Sequence, residues 1–396
     1  MDSKNKAPLY QVIFNDLYKK IKIGFYKVGD QIPTEKELMS LYETSRITAS
    51  RAVHELVNKN YVQRLKATGT FVNPEVKWEE NKINQTRIQK PTVAFIIPSP
   101  ALSISIEMEV LQGIGIACRD LGYALTIHSN ESDNIDNIDK KTPYEFEKSL
   151  ISELIDQGVV GAIFFPSTTN ESPEIYNMMS NRSFPFVLLD RQVFGVESSL
   201  VTSDNRNGFY SIVEHVILKG HSRIAFVSGN TQGSSSRTER FYGFIKAMND
   251  YKQEVVDKFV IHHLFPENHE NQYYKDIDGK NEYYHKAIKE MLETFQSYDN
   301  PPTAIVTSND YIALNIMSVA ASLGYNIPDD ISISGFDGLP ISSLITPKLA
   351  TVAQDFLTMG KSSINLLDQL IKNPHRKIER IDIPTKLVPG KSIREL

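Results

Sequence analysis

Polar residues of a few types recur just beyond short apolar runs in the later three quarters of this chain. Asp190-Arg191 follows Phe186-Val187-Leu188-Leu189, and Ser228-Gly229-Asn230 follows Ile224-Ala225-Phe226-Val227, with Arg240 soon afterwards. Ser308-Asn309-Asp310 comes after Ala304-Ile305-Val306, Gly335-Phe336-Asp337-Gly338 after Ile331-Ser332-Ile333-Ser334, and Ser99 after Val93-Ala94-Phe95-Ile96-Ile97. Asp, Asn and Arg supply the several donors and acceptors that vicinal hydroxyls require, and an aromatic such as Phe336 can cover an apolar ring face. These strand ends, with Arg240 and Phe336 among them, therefore form a candidate polyol-binding constellation. Taken singly, an Asp after a strand is more often a helix cap, a role that suits Asp310. Arg191 equally suits a salt bridge between lobes. Five such ends converging is harder to explain in those terms.

Other chemistries find less support. Gly229 to Ser236 is rich in Gly and Ser but lacks the lysine and spacing of a phosphate-binding loop. His262, His263 and His269 have no carboxylate or cysteine pattern to complete a metal site, so no metal or cofactor is expected. No Ser/His/Asp, paired-carboxylate or Cys/His arrangement has spacing that calls for catalysis. Cys118 stands alone, which excludes an internal disulfide and fits a packing role in a reducing compartment.

The elements that position the polar ends are short runs apolar on both faces. Besides those quoted, Ala124-Leu125-Thr126-Ile127 and Val160 to Phe165 make seven such strands, with helical patterns between them. Runs of this kind belong to parallel sheets covered on both sides, whose ligands sit beyond the strands' carboxyl ends. The fold class expected is α/β, with two lobes over residues 91–396.

The first seventy residues read differently. Ile13, Leu17 and Ile21 lie four apart on one helical face. Thr34-Glu35-Lys36-Glu37 is a capping box that starts a second helix, running to about Tyr42. Thr44 or Ser45 caps a third, reaching Asn60. Phase puts Ala49, Ala52, Val53 and Leu56 inward and Ile47, Ser50, Arg51 and His54 outward, with Arg46 and Thr48 near the exposed start. This is a helix-turn-helix layout, whose second helix meets base edges and phosphates. Tyr61 to Leu65 and Gly69 to Val72 flank a turn at Lys66-Ala67-Thr68 and read as a hairpin wing, from which Lys66 reaches a phosphate or the minor groove.

Charge agrees with this division. The net of −5 hides 16 Lys+Arg against 10 Asp+Glu in residues 1–90, leaving 27 against 38 for the remainder. A basic head on an acidic body suits a polyanion at the head alone. No run approaches the roughly 20 apolar residues of a membrane span, and no signal peptide opens the chain, so a cytoplasmic protein with no membrane partner is expected. Residues 74–90 are polar and aperiodic, a linker in which Trp78 either docks on one domain or edges the wing.

In order and spacing, Ile32 to Leu38, Thr44 to Thr48, Arg51-Ala52-Val53 and Gly69 to Val72 resemble the DNA-binding domain of the GntR family over residues 8–73. The resemblance implies DNA contacts from Glu35, Ser45, Arg46 and Thr48. Ser50 stands where many relatives carry arginine, and Ala67 where many carry glycine. Leu188 to Arg191, Val201 to Asn205, Gly220 to Ala225, Ser308 to Asp310, Ile327 to Ser332, Gly335 to Asp337 and Thr351 to Asp355 resemble the LacI/GalR-type regulator domain, of periplasmic-binding-protein type I fold, over 91–396. That implies effector contacts from Asp190, Arg240, Asn309, Asp337 and Gln354. It also implies lobes of about 91–203 plus 355–381 and 204–354 plus 382–396.

Head and body together resemble the arabinose-repressor family, from whose plan the polar, tyrosine-rich stretch 267–284 departs. The function expected is a DNA-binding transcriptional repressor. It would act as a homodimer on double-stranded operator DNA, controlled by a small sugar, arabinose or another pentose, bound between the lobes. The alternatives are a sugar-modifying enzyme with an appended helical head and, less well supported, a transporter's solute-binding protein.

Overall fold

The computed structural model describes residues 8–65, 68–74, 90–97, 104–129, 143–166, 173–265, 282–374 and 376–396. Two compact units divide at Gln89/Lys90. The sequence readings on Lys66, Trp78, Ser99, His269 and most of the 267–284 stretch lie outside the described residues.

In the first unit, α1 (Leu9–Lys22), α2 (Glu35–Leu41) and α3 (Arg46–Asn58) precede the antiparallel pair β1 (Val62–Leu65) and β2 (Gly69–Val72). Ile13, Leu17, Ile21, Ala49, Ala52, Val53 and Leu56, the inward set that periodicity gives, are buried in one core together with Leu38. Thr34 caps α2 through both hydrogen bonds of the box, and the Ser45 side chain accepts from the Thr48 N–H at the start of α3. Past α3, Asn60 takes the left-handed conformation, at φ 55°, that lets the chain turn into β1.

The second unit is α/β. Its first sheet has six parallel strands in the order β13-β7-β6-β5-β3-β4: β3 (Thr92–Ile97), β4 (Ala124–Ser129), β5 (Gly161–Phe164), β6 (Phe186–Leu189), β7 (Ser199–Ser203) and β13 (Arg380–Ile383). Helices α4 (Ile104–Leu121), α5 (Pro143–Asp156), α6 (Pro173–Asn181) and α11 (Phe356–Lys372) accompany it. The second sheet runs β11-β10-β8-β9, again parallel: β8 (Ile224–Val227), β9 (Val260–Ile261), β10 (Ala304–Thr307) and β11 (Ser332–Ser334). Its helices are α7 (Asn205–Leu218), α8 (Ser235–Asp250), α9 (Glu282–Gln296) and α10 (Asp310–Ser322). A short antiparallel pair joins β12 (Thr351–Ala353) to β14 (Lys386–Val388).

Each sheet has an apolar core on both faces, as a doubly covered parallel sheet requires. The chain passes between the lobes three times: from β7 to α7, from β12 to α11, and from β13 to β14. Cys118 is buried, and burial pushes its thiol up to about 11, which fits the packing role expected of it.

Candidate functional site

The polar ends of the strands meet around one arginine. Arg240, on α8, is 5% exposed; its Nε donates to Asn205 Oδ1 at 2.8 Å, and Nη1 donates to the Ser308 carbonyl at 2.6 Å and to Asp337 Oδ1 at 3.2 Å. Gln354 Nε2 donates to the same Asp337 oxygen at 2.6 Å. The guanidinium lies 4.0 Å from the centroid of the Phe336 ring. Asp337 occupies φ 121°, unusual for a side-chain-bearing residue, and its backbone is pinned by its N–H to Val352 O and by the Gln354 N–H to its own carbonyl. Backbone held in such a conformation by its surroundings places the carboxylate beside the arginine.

Burial pushes the Asp337 carboxyl up to about 6, the Arg240 guanidinium and Gln354 opposing it and the charge on Asp190 adding to it. Behind it lies Asp310, fully buried. Its Oδ2 accepts from the Leu339 N–H at 2.7 Å and the Ser342 hydroxyl at 2.8 Å, and its Oδ1 from the Thr351 hydroxyl at 2.5 Å. Burial, then the nearby Asp337 charge, push this carboxyl up to about 7 against those three bonds. The helix-cap reading of Asp310 is corrected here. Asn309 is the cap of α10, its Oδ1 accepting from the Ile312 N–H at 2.9 Å, while Asp310 ties the loop after β11 to β12.

Asp190 closes the other side. It sits at φ 65° after β6, 3.4 Å from Arg191 Nε, and accepts from the Ser236 hydroxyl of the second lobe at 3.4 Å. A cavity of about 150 Å³ opens beside it, lined by Thr202, Asn205, Ser236, Glu239 and Tyr242 among others. Of the six residues expected to bind an effector, Asp190 alone lines this cavity; next to it Arg240 and Gln354 both donate to Asp337. The reading of Phe336 as a ring-face cover is corrected. Its ring is wholly buried, stacked 6.0 Å from Phe209 and under Arg240, so it supports the arginine.

Sequence reading passed over Asn205. Its side chain accepts from Arg240 and donates to Thr202 Oγ1 and the Ser203 carbonyl, joining the arginine to the crossover after β7. The hydroxyls of Ser228 and Ser308, at the ends of β8 and β10, and Gln354 Oε1 are buried with no protein partner among the described residues. Acceptors and donors of this kind at strand ends are what a polar ligand satisfies.

On the first unit, Arg46 opens α3 with its side chain 80% exposed, 3.7 Å from Glu35 Oε2. Glu35 Oε1 accepts from Arg64 of β1 in a short contact. Ser45 and Thr48 share a hydrogen bond of 2.9 Å between their hydroxyls, Ser50 is half-buried, and Arg51 lies exposed over the Tyr10 ring at 3.9 Å. Arg64 went unremarked in the sequence because its partner is 29 positions away. Among the described residues no cluster of three His, Cys, Asp or Glu could hold a metal, and no helix is long and apolar enough to cross a membrane.

Comparison with known proteins bears on both units. Residues 9–72 match the bacterial regulatory proteins of the gntR family, and residues 213–393 match the periplasmic binding protein-like domain. The arabinose metabolism transcriptional repressor of Geobacillus stearothermophilus is 25% identical over 379 residues, covering 94% of this chain and 93% of that protein. The ribose operon repressor of Halalkalibacterium halodurans is 25% identical over 356 residues, 90% of this chain and 95% of that one. A solved complex of the transcriptional regulator CelR with cellobiose superposes with a TM-score of 0.63 at 20% identity, over 91% of this chain and all of that one. A LacI family transcriptional regulator from Enterococcus faecium with bound ribose gives 0.59 at 23%, over 77% and 99%. At these identities the two structures establish the shared fold. The chain is a transcriptional regulator rather than an enzyme, one that joins a GntR-family DNA-binding head to a periplasmic-binding-protein-like domain of LacI-regulator fold.

Proposed function

We propose that this regulator represses genes of sugar metabolism by binding operator DNA through its head, and that a small sugar in the second unit controls that binding. The observation that carries the reading is the network of Arg240, Asp337 and Gln354 beside Asp190, in a chain that opens with a helix-turn-helix. A carboxylate bonded to a guanidinium and an amide presents alternating acceptors and donors, the pattern that a diol's paired hydroxyls match. Similarity along the whole chain to an arabinose metabolism transcriptional repressor supports a small sugar such as arabinose or another pentose as the ligand beside Asp190.

DNA contacts are assigned to Ser45, Arg46, Thr48, Ser50 and Arg51 of the helix-turn-helix, with Glu35 beside them and Lys66 of the wing turn. Effector contacts are assigned to Asp190, Arg240, Asn309, Asp337 and Gln354. Helix-turn-helix readers commonly bind near-palindromic sites as dimers, so the working form is taken as a cytoplasmic homodimer.

The test is fluorescence anisotropy of labelled DNA from upstream of the gene, with and without a panel of pentoses, hexoses and sugar phosphates. Sequence-preferring binding that one sugar shifts about tenfold or more is expected. Asp337→Ala should abolish the shift and leave operator affinity intact, whereas Arg46→Ala should abolish operator binding and leave sugar binding, read by calorimetry, intact. An Asp337→Ala protein that still responds to the sugar would remove the assigned pocket.

A further inference from the structure

We propose that Arg64 is a DNA-contacting residue, and that Glu35 is the carboxylate that positions Arg64 and Arg46 as one reading unit. This rests on the head being an operator binder, and it assigns a contact that neither helical phase nor resemblance provides.

Three elements meet at Glu35. The residue lies in the first turn of α2, with its side chain only 20% exposed. One carboxylate oxygen accepts from Arg64 Nη2 on wing strand β1; the other faces Arg46 Nε at the start of α3. Both guanidiniums remain largely in solvent, at 80% exposure for the Arg46 side chain and 52% for Arg64. The cluster carries a net charge of +1.

Two exposed arginines drawn to one carboxylate contribute little to folding, since surface ion pairs are worth about 0–1 kcal/mol. What the arrangement does provide is geometry. A guanidinium has five N–H donors in a rigid fork, and the Glu35 contact uses a minority of them. The donors that remain leave two solvent-exposed forks on adjacent elements available to one polyanion, with rotamer freedom already reduced before DNA arrives. The wing strand and the recognition helix are thereby held in one register on the duplex. Arg51, the other cation on the outer face of α3, lies over the Tyr10 ring and takes no part in this carboxylate cluster.

Two signs separate this from a structural ion pair. Glu35→Gln makes the face more positive, so charge alone would tighten binding to every DNA. If Glu35 positions the arginines, the ratio of operator to scrambled-sequence affinity falls instead. Arg64→Ala, in contrast, removes a DNA contact, and the slope of log affinity against log salt should become shallower by about 0.9.

The experiment is anisotropy with the full chain at two or more salt concentrations, on operator and scrambled duplexes, for wild type, Arg64→Ala, Arg64→Lys, Glu35→Gln and the Glu35→Gln/Arg64→Ala double variant. We expect Arg64→Ala to weaken operator binding about tenfold or more. Arg64→Lys should restore the salt slope and leave discrimination impaired, because a point charge lacks the fork. The double variant should lose less than the product of the two single losses, as groups in one network do. Arg64→Ala that matches wild type within twofold at every salt overturns the proposal, and so do Glu35 and Arg64 effects that multiply independently. A wild-type chain with no sequence preference overturns the operator reading beneath it, a result distinct from either of these.

Discussion

Asp310 shows how far a single residue can depart from its local reading. In sequence it follows a strand and opens a helix, which is the place of a cap; in the fold Asn309 takes that place and Asp310 turns inward, fully buried, to three donors from the loop and strand that follow β11. Its partners are 29 to 41 positions away, beyond any local pattern. A carboxyl pushed up from 3.8 to about 7 binds a proton in the folded chain, through a window in which the unfolded chain has lost it. Its contribution to stability is therefore complete below about pH 4, the ordinary Asp range, and lost as pH rises through about 7. Thermal melts of wild type and Asp310→Asn between pH 5 and 8 should show wild type losing ground to the variant as pH rises; parallel curves would refute the assignment. Ser308 gives a second test. Its buried hydroxyl has no protein partner among the described residues, so Ser308→Ala should raise unliganded stability by about 1 kcal/mol while weakening effector binding several-fold by calorimetry. Unchanged effector affinity would remove Ser308 from the site. Strand ends and resemblance single out Asp190, Arg240, Asp337 and Gln354, of which the fold bonds Arg240 and Gln354 to Asp337, whereas Asn205 and Arg64 meet partners 35 and 29 positions distant.

Elements were readable where the pattern is physical and local. Strands β6 and β8 have the ends that their apolar runs predict, and the box at Thr34 marks the start of α2. Strands β7, β12, β13 and β14 did not announce themselves: Ser199-Leu200-Val201-Thr202-Ser203 and Arg380-Ile381-Asp382-Ile383 mix polar and apolar residues, and the other two are three residues long. Their pairing comes from the sheet they join, which local propensity does not encode. The contact between α4 and α11 is equally silent in sequence. A Cβ on Gly113 would lie 2.1 Å from the Leu357 carbonyl oxygen, and one on Gly360 2.2 Å from that of Val110, so each helix presents a glycine to the other's backbone. Backbone cannot retreat as a flexible side chain can, and relief requires the helices to separate. Gly113→Ala should cost about 2–3 kcal/mol, within the range for overpacking, as read from urea unfolding of the full chain. A loss below about 0.5 kcal/mol, the scale of an ordinary surface change, would mean the two helices are not so closely apposed.

At the scale of the whole molecule, two units of opposite charge have to share one free energy. The head's surplus of cations draws it to DNA, and the acidic body leaves that attraction to the head. Control by a sugar then requires that the sugar bind more tightly to one arrangement of the body than to another, and that DNA prefer the other. A ligand with equal affinity for both would shift nothing. The Arg240–Asp337–Gln354 network supplies a place where such a difference can arise, because a polyol that inserts there must exchange bonds that Arg240 and Gln354 now make to Asp337. Linkage makes the consequence quantitative and symmetric: whatever factor the sugar applies to operator affinity, saturating operator must apply to sugar affinity. For a coupling of about 1–3 kcal/mol that factor is roughly 5 to 150. Calorimetric titration of the sugar into the free protein and into its operator complex should give dissociation constants that differ by the factor measured in the anisotropy experiment, and in the same sense. Equal constants, found together with an operator affinity that no sugar alters, would separate the two sites energetically and leave the body's ligand without a part in repression.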